Sequence, residues 1–196
     1  MSGRRGAFLD RDGTLNEFVT DPVSGLPESP LRVADVRLIE GAAAAVRRLA
    51  QAGFALVCVS NQPAAAKGKV SLEQLLAVHE RVLELLREQG VRLDAFRLCF
   101  HHPQGIVPEL SGPCGCRKPG PGMLLEVGAE LGLDLAGSWI IGDTDSDVRA
   151  GHAAGCRALL IEHPGSAHKR GGDANPDLIA SNLDDGVAQL LDQRSR

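Results

Sequence analysis

The chain has 196 residues, of which 43% are hydrophobic and 23% are charged, and its formal net charge is −4. This length and composition predict one globular domain, residues 1–196, with a full core. A mildly acidic chain gives no electrostatic reason to expect nucleic acid as a partner. No apolar run approaches the ~20 residues of a membrane span, and the N-terminus lacks the apolar region of a secretory signal. We therefore expect a cytoplasmic monomer that contacts neither nucleic acid nor membrane.

Short apolar runs alternate with amphipathic segments along the chain. The predicted strands are residues 6–9, 54–59, 96–99, 138–141 and 156–161. The predicted helices are residues 42–52, 72–89, 122–131, 145–154 and 183–191. This alternation indicates an α/β fold, a Rossmann-like, doubly wound parallel sheet with helices on both faces.

The clearest helix begins after Ser71. Ser71 and Gln74 have the spacing of a capping box, and an apolar stripe follows them. Two stretches interrupt the regular alternation, residues 17–40 with three prolines and residues 100–121. We interpret them as functional loops. The first, at about 17–40, is the expected substrate loop, and it is too short for a large cap domain.

A polar cluster follows three of the predicted strands. The clusters are Asp10-Arg-Asp12-Gly-Thr14, Ser60-Asn61-Gln62 and Gly142-Asp143-Thr-Asp145-Ser-Asp147. Because the carboxyl ends of parallel strands meet at one edge of the sheet, where ligands bind, we expect these side chains to lie together.

Three converging carboxylates, Asp10, Asp12 and Asp143, would repel one another unless a cation lay between them. Oxygen ligands with room for water and phosphate suit Mg²⁺, and Lys118 and Ser60 offer donors to a phosphate. This chemistry indicates phosphoryl transfer, with Asp10 attacking phosphorus and Asp12 exchanging the proton. A turn in which Asp10 and Asp12 merely cap a helix is the alternative.

The motifs DxDGT at 10–14, Ser60, Lys118 and GDxxxD at 142–147 resemble those of the haloacid dehalogenase-like phosphatases. The resemblance implies Asp10 as nucleophile, Asp12 as acid and base, and Ser60 and Lys118 as phosphate binders. It also implies Mg²⁺ on Asp10, on the Asp12 carbonyl and on Asp143, with Asp147 in a supporting position.

Cys99, His101, Cys114 and Cys116 lie on either side of a loop, residues 99–118. Three thiolates and one imidazole form a closed set of ligands for a structural Zn²⁺, which would hold Arg117 and Lys118 in place. A disulfide or chance clustering is the alternative, and His102 is an alternative to His101. Cys58 and Cys156 lie in apolar runs and are expected in the core.

The pattern Cys-x-His…Cys-x-Cys-Arg-Lys-Pro resembles the D-glycero-D-manno-heptose 1,7-bisphosphate phosphatases, and histidinol-phosphate phosphatases carry a similar loop. The resemblance implies that Arg117 touches substrate and that Asn61 and Gln62 lie at the phosphate pocket. The heptose enzymes generally place a substrate-reaching lysine after the Gly-Asp pair, and here that substrate-facing position is Thr144. The expected substrate is the heptose bisphosphate, with histidinol phosphate or another small phosphomonoester as the alternative.

Two non-enzymatic interpretations remain. A receiver-like phosphoacceptor module also uses a strand-end aspartate, Mg²⁺, a hydroxyl and a lysine, but it has no use for an acid and base at Asp12. A zinc-binding interaction protein would not need the set of catalytic residue types.

Overall fold

The structure, a computed structural model, describes residues 3–22 and 24–193. Within them the strands are β1 (Gly6–Leu9), β2 (Val19–Thr20), β3 (Pro27–Glu28), β4 (Ala55–Asn61), β5 (Ala95–Cys99), β6 (Trp139–Gly142), β7 (Arg157–Ile161) and β8 (Leu178–Ala180). The α-helices are α1 (Ala42–Gln51), α2 (Leu72–Glu88), α3 (Gly122–Glu130), α4 (Asp145–Ala153) and α5 (Leu183–Asp192).

Six strands form one parallel sheet in the order β5-β4-β1-β6-β7-β8, and β2 and β3 form a separate antiparallel hairpin. The chain first extends the sheet on one side of β1 and then crosses to the other side at β6. The point where the strand order reverses therefore lies between β1 and β6, where open α/β sheets bind ligands.

Alternate residues of each central strand enter two different cores, as a strand period of two requires. In β1, Ala7 and Leu9 pack in the core that α1, α2 and α5 cover, and Phe8 packs in the core under α3 and α4. The doubly wound sheet expected from the sequence is confirmed.

All ten predicted elements are present, with ends shifted by at most two residues. The sequence interpretation missed β8 and the β2–β3 hairpin, whose strands have only two or three residues. Such short strands contain too few side chains to show a period.

The predicted capping box at α2 is only half correct. The hydroxyl of Ser71 accepts a hydrogen bond from the Gln74 amide N–H at 3.1 Å, but the Gln74 side chain donates to the Leu31 carbonyl at 2.7 Å. The Gln74 side chain therefore ties α2 to the segment before α1 instead of returning to Ser71.

In the described part of residues 15–40, the regular structure comprises the β2–β3 hairpin and a 3₁₀ turn, Val33–Asp35. This segment forms no large cap. No α-helix in the described parts of the chain has the length and hydropathy needed to cross a bilayer.

Candidate active site

Two buried carboxylates follow the strands on either side of the reversal point. Asp10 comes directly after β1, and Asp143 comes directly after β6. The backbone N–H of Asp10 donates to the Ile141 carbonyl at 2.9 Å, which joins the two strand ends. The structure thus brings together two side chains that lie far apart in sequence, as their strand-end positions predicted.

The ammonium group of Lys118 lies between the buried carboxylates of Asp10 and Asp147. Its Nζ is 2.8 Å from Asp10 Oδ1 and 2.5 Å from Asp147 Oδ1, and it also donates to the Val59 carbonyl at 2.8 Å. Burial acts to lower the pKa of Lys118, but the charges of Asp10 and Asp147 outweigh it and raise the pKa above its ordinary value. Lys118 is therefore a fixed buried cation.

Three carboxylates form a group in which one oxygen of each lies within 4.8 Å of one oxygen of the other two: Asp10, Asp143 and Asp147. Neither Asp143 oxygen has a hydrogen-bond partner among residues 3–22 and 24–193. Burial, and then the charges of Asp10 and Asp147, raise the pKa of Asp143 to about 8. An unpartnered buried carboxylate beside two others has the donor chemistry that Mg²⁺ requires, so these residues fit that ion.

Gly13 permits the close packing of the loop after β1. Its φ is +81°, and a Cβ at this position would lie 2.3 Å from Asp143 Oδ2. Only glycine combines this backbone conformation with such a close approach.

The Asp12 side chain is surrounded by donors of its own. Its Oδ1 accepts hydrogen bonds from Arg11 and from Asn16 Nδ2, and its Oδ2 accepts one from Gln62 Nε2 at 2.6 Å. Burial acts to raise the pKa of Asp12, but the Arg11 charge, with Asn16 and Gln62, holds it below its ordinary value. In this structure the two aspartates of the motif therefore have separate cationic partners, Lys118 for Asp10 and Arg11 for Asp12.

The three polar residues at the end of β4 have distinct contacts. Ser60 is buried, and its hydroxyl accepts from Gln62 Nε2 at 3.0 Å. Asn61 makes two bonds to the backbone of Lys118, accepting from its N–H and donating to its carbonyl, both at 3.0 Å. Asn61 thereby fixes the backbone that carries the buried lysine.

A cleft of about 360 Å³ opens above these residues. Asp10, Asp12, Ser60, Lys118 and Asp143 line its floor. Its walls include Lys67, Lys69, Arg117, Thr144 and Lys169. Every catalytic and substrate-binding residue predicted from the sequence thus borders this one cleft.

The four predicted zinc ligands are also brought together. Cys99 Sγ lies 3.0 Å from Cys116 Sγ and 3.7 Å from Cys114 Sγ, and Cys116 Sγ lies 3.5 Å from His101 Nδ1. One ligand atom from each residue lies within 4.8 Å of the others. Three thiols and one imidazole fit a tetrahedral Zn²⁺.

None of the five cysteines forms a disulfide. His101, not His102, belongs to the cluster, because His102 Nδ1 instead accepts from the Gln104 N–H at 3.1 Å. Cys58 and Cys156 are buried in the cores, as expected.

Sequence reasoning overlooked Arg11 and Asn16 and gave Asp147 only a supporting position. Asp147 pairs directly with Lys118 and lies within the carboxylate group. For Arg11 the available signal was its place between two acids, since a cation there can neutralise one of them. The wall lysines Lys67 and Lys169 had no signal beyond their charge.

The fold and this arrangement define a haloacid dehalogenase-like phosphatase, a phosphoric monoester hydrolase. Residues 115–186 match the hydrolase-like family model described as HAD-hydrolase-like. Two comparisons with named enzymes are more specific. The chain is 38% identical over 181 residues to the D-glycero-beta-D-manno-heptose-1,7-bisphosphate 7-phosphatase of Yersinia pestis, covering 91% of this chain and 90% of that protein. It is 40% identical over 159 residues to the enzyme of that name from Rhodopseudomonas palustris, covering 81% and 84%.

A solved structure gives the same result. The D,D-heptose 1,7-bisphosphate phosphatase of B. bronchiseptica, complexed with magnesium and phosphate, matches 96% of this chain and 99% of that one, with a TM-score of 0.79 and 28% identity. The chain belongs to the family of D-glycero-beta-D-manno-heptose-1,7-bisphosphate 7-phosphatases.

Proposed function

We propose that this chain removes the 7-phosphate of D-glycero-β-D-manno-heptose 1,7-bisphosphate through an aspartyl phosphate on Asp10. The names of its relatives support the substrate. The observation that carries the chemistry is the Lys118 ammonium held between Asp10 and Asp147, beside the unpartnered carboxylate of Asp143. A buried lysine in this position neutralises the nucleophile, and it would donate to a phosphoryl oxygen by giving up one of its three present hydrogen bonds.

In the first step an Asp10 oxygen attacks phosphorus. The new bond joins Asp10 to phosphorus, the bond from phosphorus to the sugar oxygen breaks, and the sugar oxygen takes a proton from Asp12. Because the pKa of Asp12 is lowered in the absence of substrate, Asp12 has to take up that proton when the substrate phosphate binds. The Ser60 hydroxyl, which lines the cleft, is assigned to a second phosphoryl oxygen.

In the second step water attacks the aspartyl phosphate. The bond from phosphorus to Asp10 breaks, phosphate leaves, and the proton from water returns to Asp12. Asp10 and Asp12 end the cycle in their starting forms.

Mg²⁺ would be held by Asp10, the carbonyl of Asp12 and Asp143, with Asp147 nearby, and when bound it neutralises phosphoryl charge. Zn²⁺ on Cys99, His101, Cys114 and Cys116 would fix the loop that ends in Arg117 and Lys118. We also propose that the protein is a cytoplasmic monomer, that residues 1–196 form one domain, and that it binds neither nucleic acid nor membrane.

The non-reacting end of the sugar would lie against the cleft walls. Arg117 and Thr144 are the proposed contacts there, with residues 17–40 as the substrate loop, and Asn61 and Gln62 are proposed to lie at the phosphate pocket. A remote phosphate bound there supplies binding energy that orients the reacting end.

The test is kcat/KM for the heptose bisphosphate, heptose 7-phosphate and histidinol phosphate on one preparation with Mg²⁺. We expect the bisphosphate to exceed the monophosphates by ~10²-fold, since one charge-assisted contact contributes roughly 1.5–3 kcal/mol. If histidinol phosphate is the better substrate, the heptose assignment is wrong.

Two variants test the residue assignments. Asp10→Asn should abolish turnover, because an amide cannot form the acyl phosphate. Thr144→Lys should raise the preference for the bisphosphate over the monophosphates.

A further inference from the structure

Arg11 is the largest fully buried side chain of the protein's described part, and it stands between the two aspartates of the motif. It does not line the cleft. Its guanidinium donates through Nε and Nη2 to Asp12 Oδ1, at 3.1 and 3.0 Å, and through Nη2 to Gln62 Oε1 at 2.8 Å. Removing a guanidinium from water costs free energy, and the hydrogen bonds to Asp12 and Gln62 offset part of that cost.

The two oxygens of Asp12 are held differently. Oδ1 accepts from two Arg11 nitrogens and from Asn16 Nδ2 at 2.9 Å. Oδ2 accepts from Arg11 Nη2 at 3.0 Å and from the Gln62 amide, which also donates to the Ser60 hydroxyl. Oδ1 thus accepts three hydrogen bonds and Oδ2 accepts two, and only Oδ2 shares a donor with the hydroxyl of Ser60, which lines the cleft.

We propose that Arg11, assisted by Asn16, is a positioning residue that anchors Oδ1 of Asp12 so that Oδ2 meets the leaving oxygen of the substrate. The inference rests on the proposed function, in which Asp12 gives a proton to that oxygen and later takes one from water. Arg11 touches no reacting atom. It acts by fixing the direction of the carboxylate, since a loss of orientation costs rate without removing the acid.

A role in orienting the acid differs measurably from a role in charge compensation or folding. A sugar oxygen is a poor leaving group and needs the proton, whereas p-nitrophenolate departs as the anion near neutral pH. A misdirected Asp12 therefore slows phosphoryl transfer from a sugar phosphate but not from p-nitrophenyl phosphate. Hydrolysis of the aspartyl phosphate needs Asp12 as a base with either substrate.

The decisive variant is Arg11→Met, which keeps an unbranched apolar stem and removes the guanidinium fork. With the heptose bisphosphate we expect kcat to fall by at least ~10²-fold, the usual scale of general acid–base catalysis. With p-nitrophenyl phosphate we expect a burst of about one p-nitrophenolate per chain, at a rate within about threefold of wild-type phosphoryl transfer, and then slow turnover. A second variant with Asp10→Asn added should show no burst.

Three further variants make the test specific. Arg11→Lys keeps a cation but loses the two-nitrogen fork, so it should behave like Arg11→Met, and rescue by lysine would overturn the positioning role. Asn16→Ala removes one donor from Oδ1 and should show the same split between substrates with a smaller loss, which also provides the test if Arg11→Met does not fold. Arg4→Met is the matched control, because Arg4 pairs with Asp94 beyond the other end of β1.

An equal loss in the rate of phosphoryl transfer to Asp10 with both substrates, or no loss in that rate with either, would overturn the inference while leaving the proposed function intact. Retention of turnover by Asp10→Asn would instead overturn the covalent mechanism, and the inference with it.

Discussion

Asp10 and Asp12 are separated by one residue but have opposite electrostatic surroundings. Burial raises the pKa of Asp10 against the opposing charge of Lys118, with Asp147 adding to the rise. The pKa of Asp12 is lowered, because Arg11 and two amide donors outweigh burial. The repulsion between two such close carboxylates is therefore reduced by two cations already present in the chain.

Lys118 should contribute to stability as well as to catalysis. Lys118→Met leaves Asp10 and Asp147 buried without their cation, and removing one partner of a buried pair costs roughly 3–5 kcal/mol. We expect a large fall in melting temperature without Mg²⁺ and a larger Mg²⁺-induced rise than in wild type, because the ion then replaces the missing charge.

Thermal unfolding with Mg²⁺ and with a chelator measures this effect. Lys69→Met is the control, because the Lys69–Glu28 pair is exposed and such pairs contribute about 0–1 kcal/mol. A variant of Lys118 as stable as wild type in chelator would contradict the expectation.

The sequence was sufficient to locate those residues of the candidate site that lie at the end of a strand. Asp10, Ser60 and Asp143 were predictable because each follows a recognisable apolar run. The partners of Asp12 were not, because an arginine between two acids is ordinarily exposed, and no periodicity shows that this one is fully buried.

Among the elements, α2 carries an unusual histidine. His79 is buried against Phe96, with ring centroids 4.5 Å apart, and neither ring nitrogen has a hydrogen-bond partner among the described residues. Burial, assisted by the Arg11 charge, lowers the pKa of His79 from 6.5 to about 4.

This shift predicts a loss of stability in acid. Above pH 6.5 His79 is neutral in both states, but below it only the unfolded chain binds the proton, until the folded protein also binds it near pH 4. Between these limits the free energy of unfolding should fall by on the order of 3 kcal/mol through His79 alone. His79→Leu should remove that part of the pH dependence in chemical denaturation, whereas His168→Leu, at an exposed position, should not. Parallel pH profiles for wild type and His79→Leu would refute this account.

The cysteine cluster is the second element-scale feature. Tag-free protein, with its cysteines reduced, should contain about one tightly held zinc per chain by elemental analysis. Cys114→Ser should lower the zinc content and slow turnover, because Arg117 and Lys118 directly follow the cluster. Cys156→Ala, in the core away from the cluster, should retain zinc, and wild-type protein without zinc would exclude the assignment.

The elements themselves were largely predictable, because ten of them have several turns or several strand residues that repeat a pattern. The capping partner of Ser71 was not, since Gln74 bonds to Leu31, a residue 43 positions away. A local sequence motif does not show that a residue distant in the sequence will accept the hydrogen bond of one of its side chains. The three cysteines of the cluster were predictable, but the choice between His101 and His102 was not, because it depends on the path of the loop.

Over the whole molecule the net charge is −4, yet cations line the cleft, among them Lys67, Arg117 and Lys169. These wall cations attract a phosphate group, and salt screens this attraction. We expect kcat/KM for the bisphosphate to fall more steeply with ionic strength than kcat/KM for heptose 7-phosphate, which carries less charge.

Lys169→Gln should flatten the salt dependence for the bisphosphate. Lys169 is exposed, and its Nζ lies 5.2 Å from the centroid of the Phe18 ring. Equal salt slopes for the two substrates would mean that the wall cations do not contact the distal phosphate.

The strand–helix alternation was enough to predict the sheet and the edge at which the site lies. The position of each wall segment was not predictable, because the hairpin and the loop that carries Lys169 are placed by long-range contacts. Arg170, for example, donates to the carbonyl of Asp143 at 3.1 Å.

The reactive carboxylates stand on the ends of core strands, and the wall cations stand on connecting loops. This division has an evolutionary consequence. A change at a strand end disturbs the core as well as the chemistry, so it is removed by selection, whereas loop changes are tolerated. After gene duplication, a few loop substitutions can therefore allow a copy of this protein to bind a different phosphate ester. The carboxylates at the strand ends then still supply the chemistry of hydrolysis.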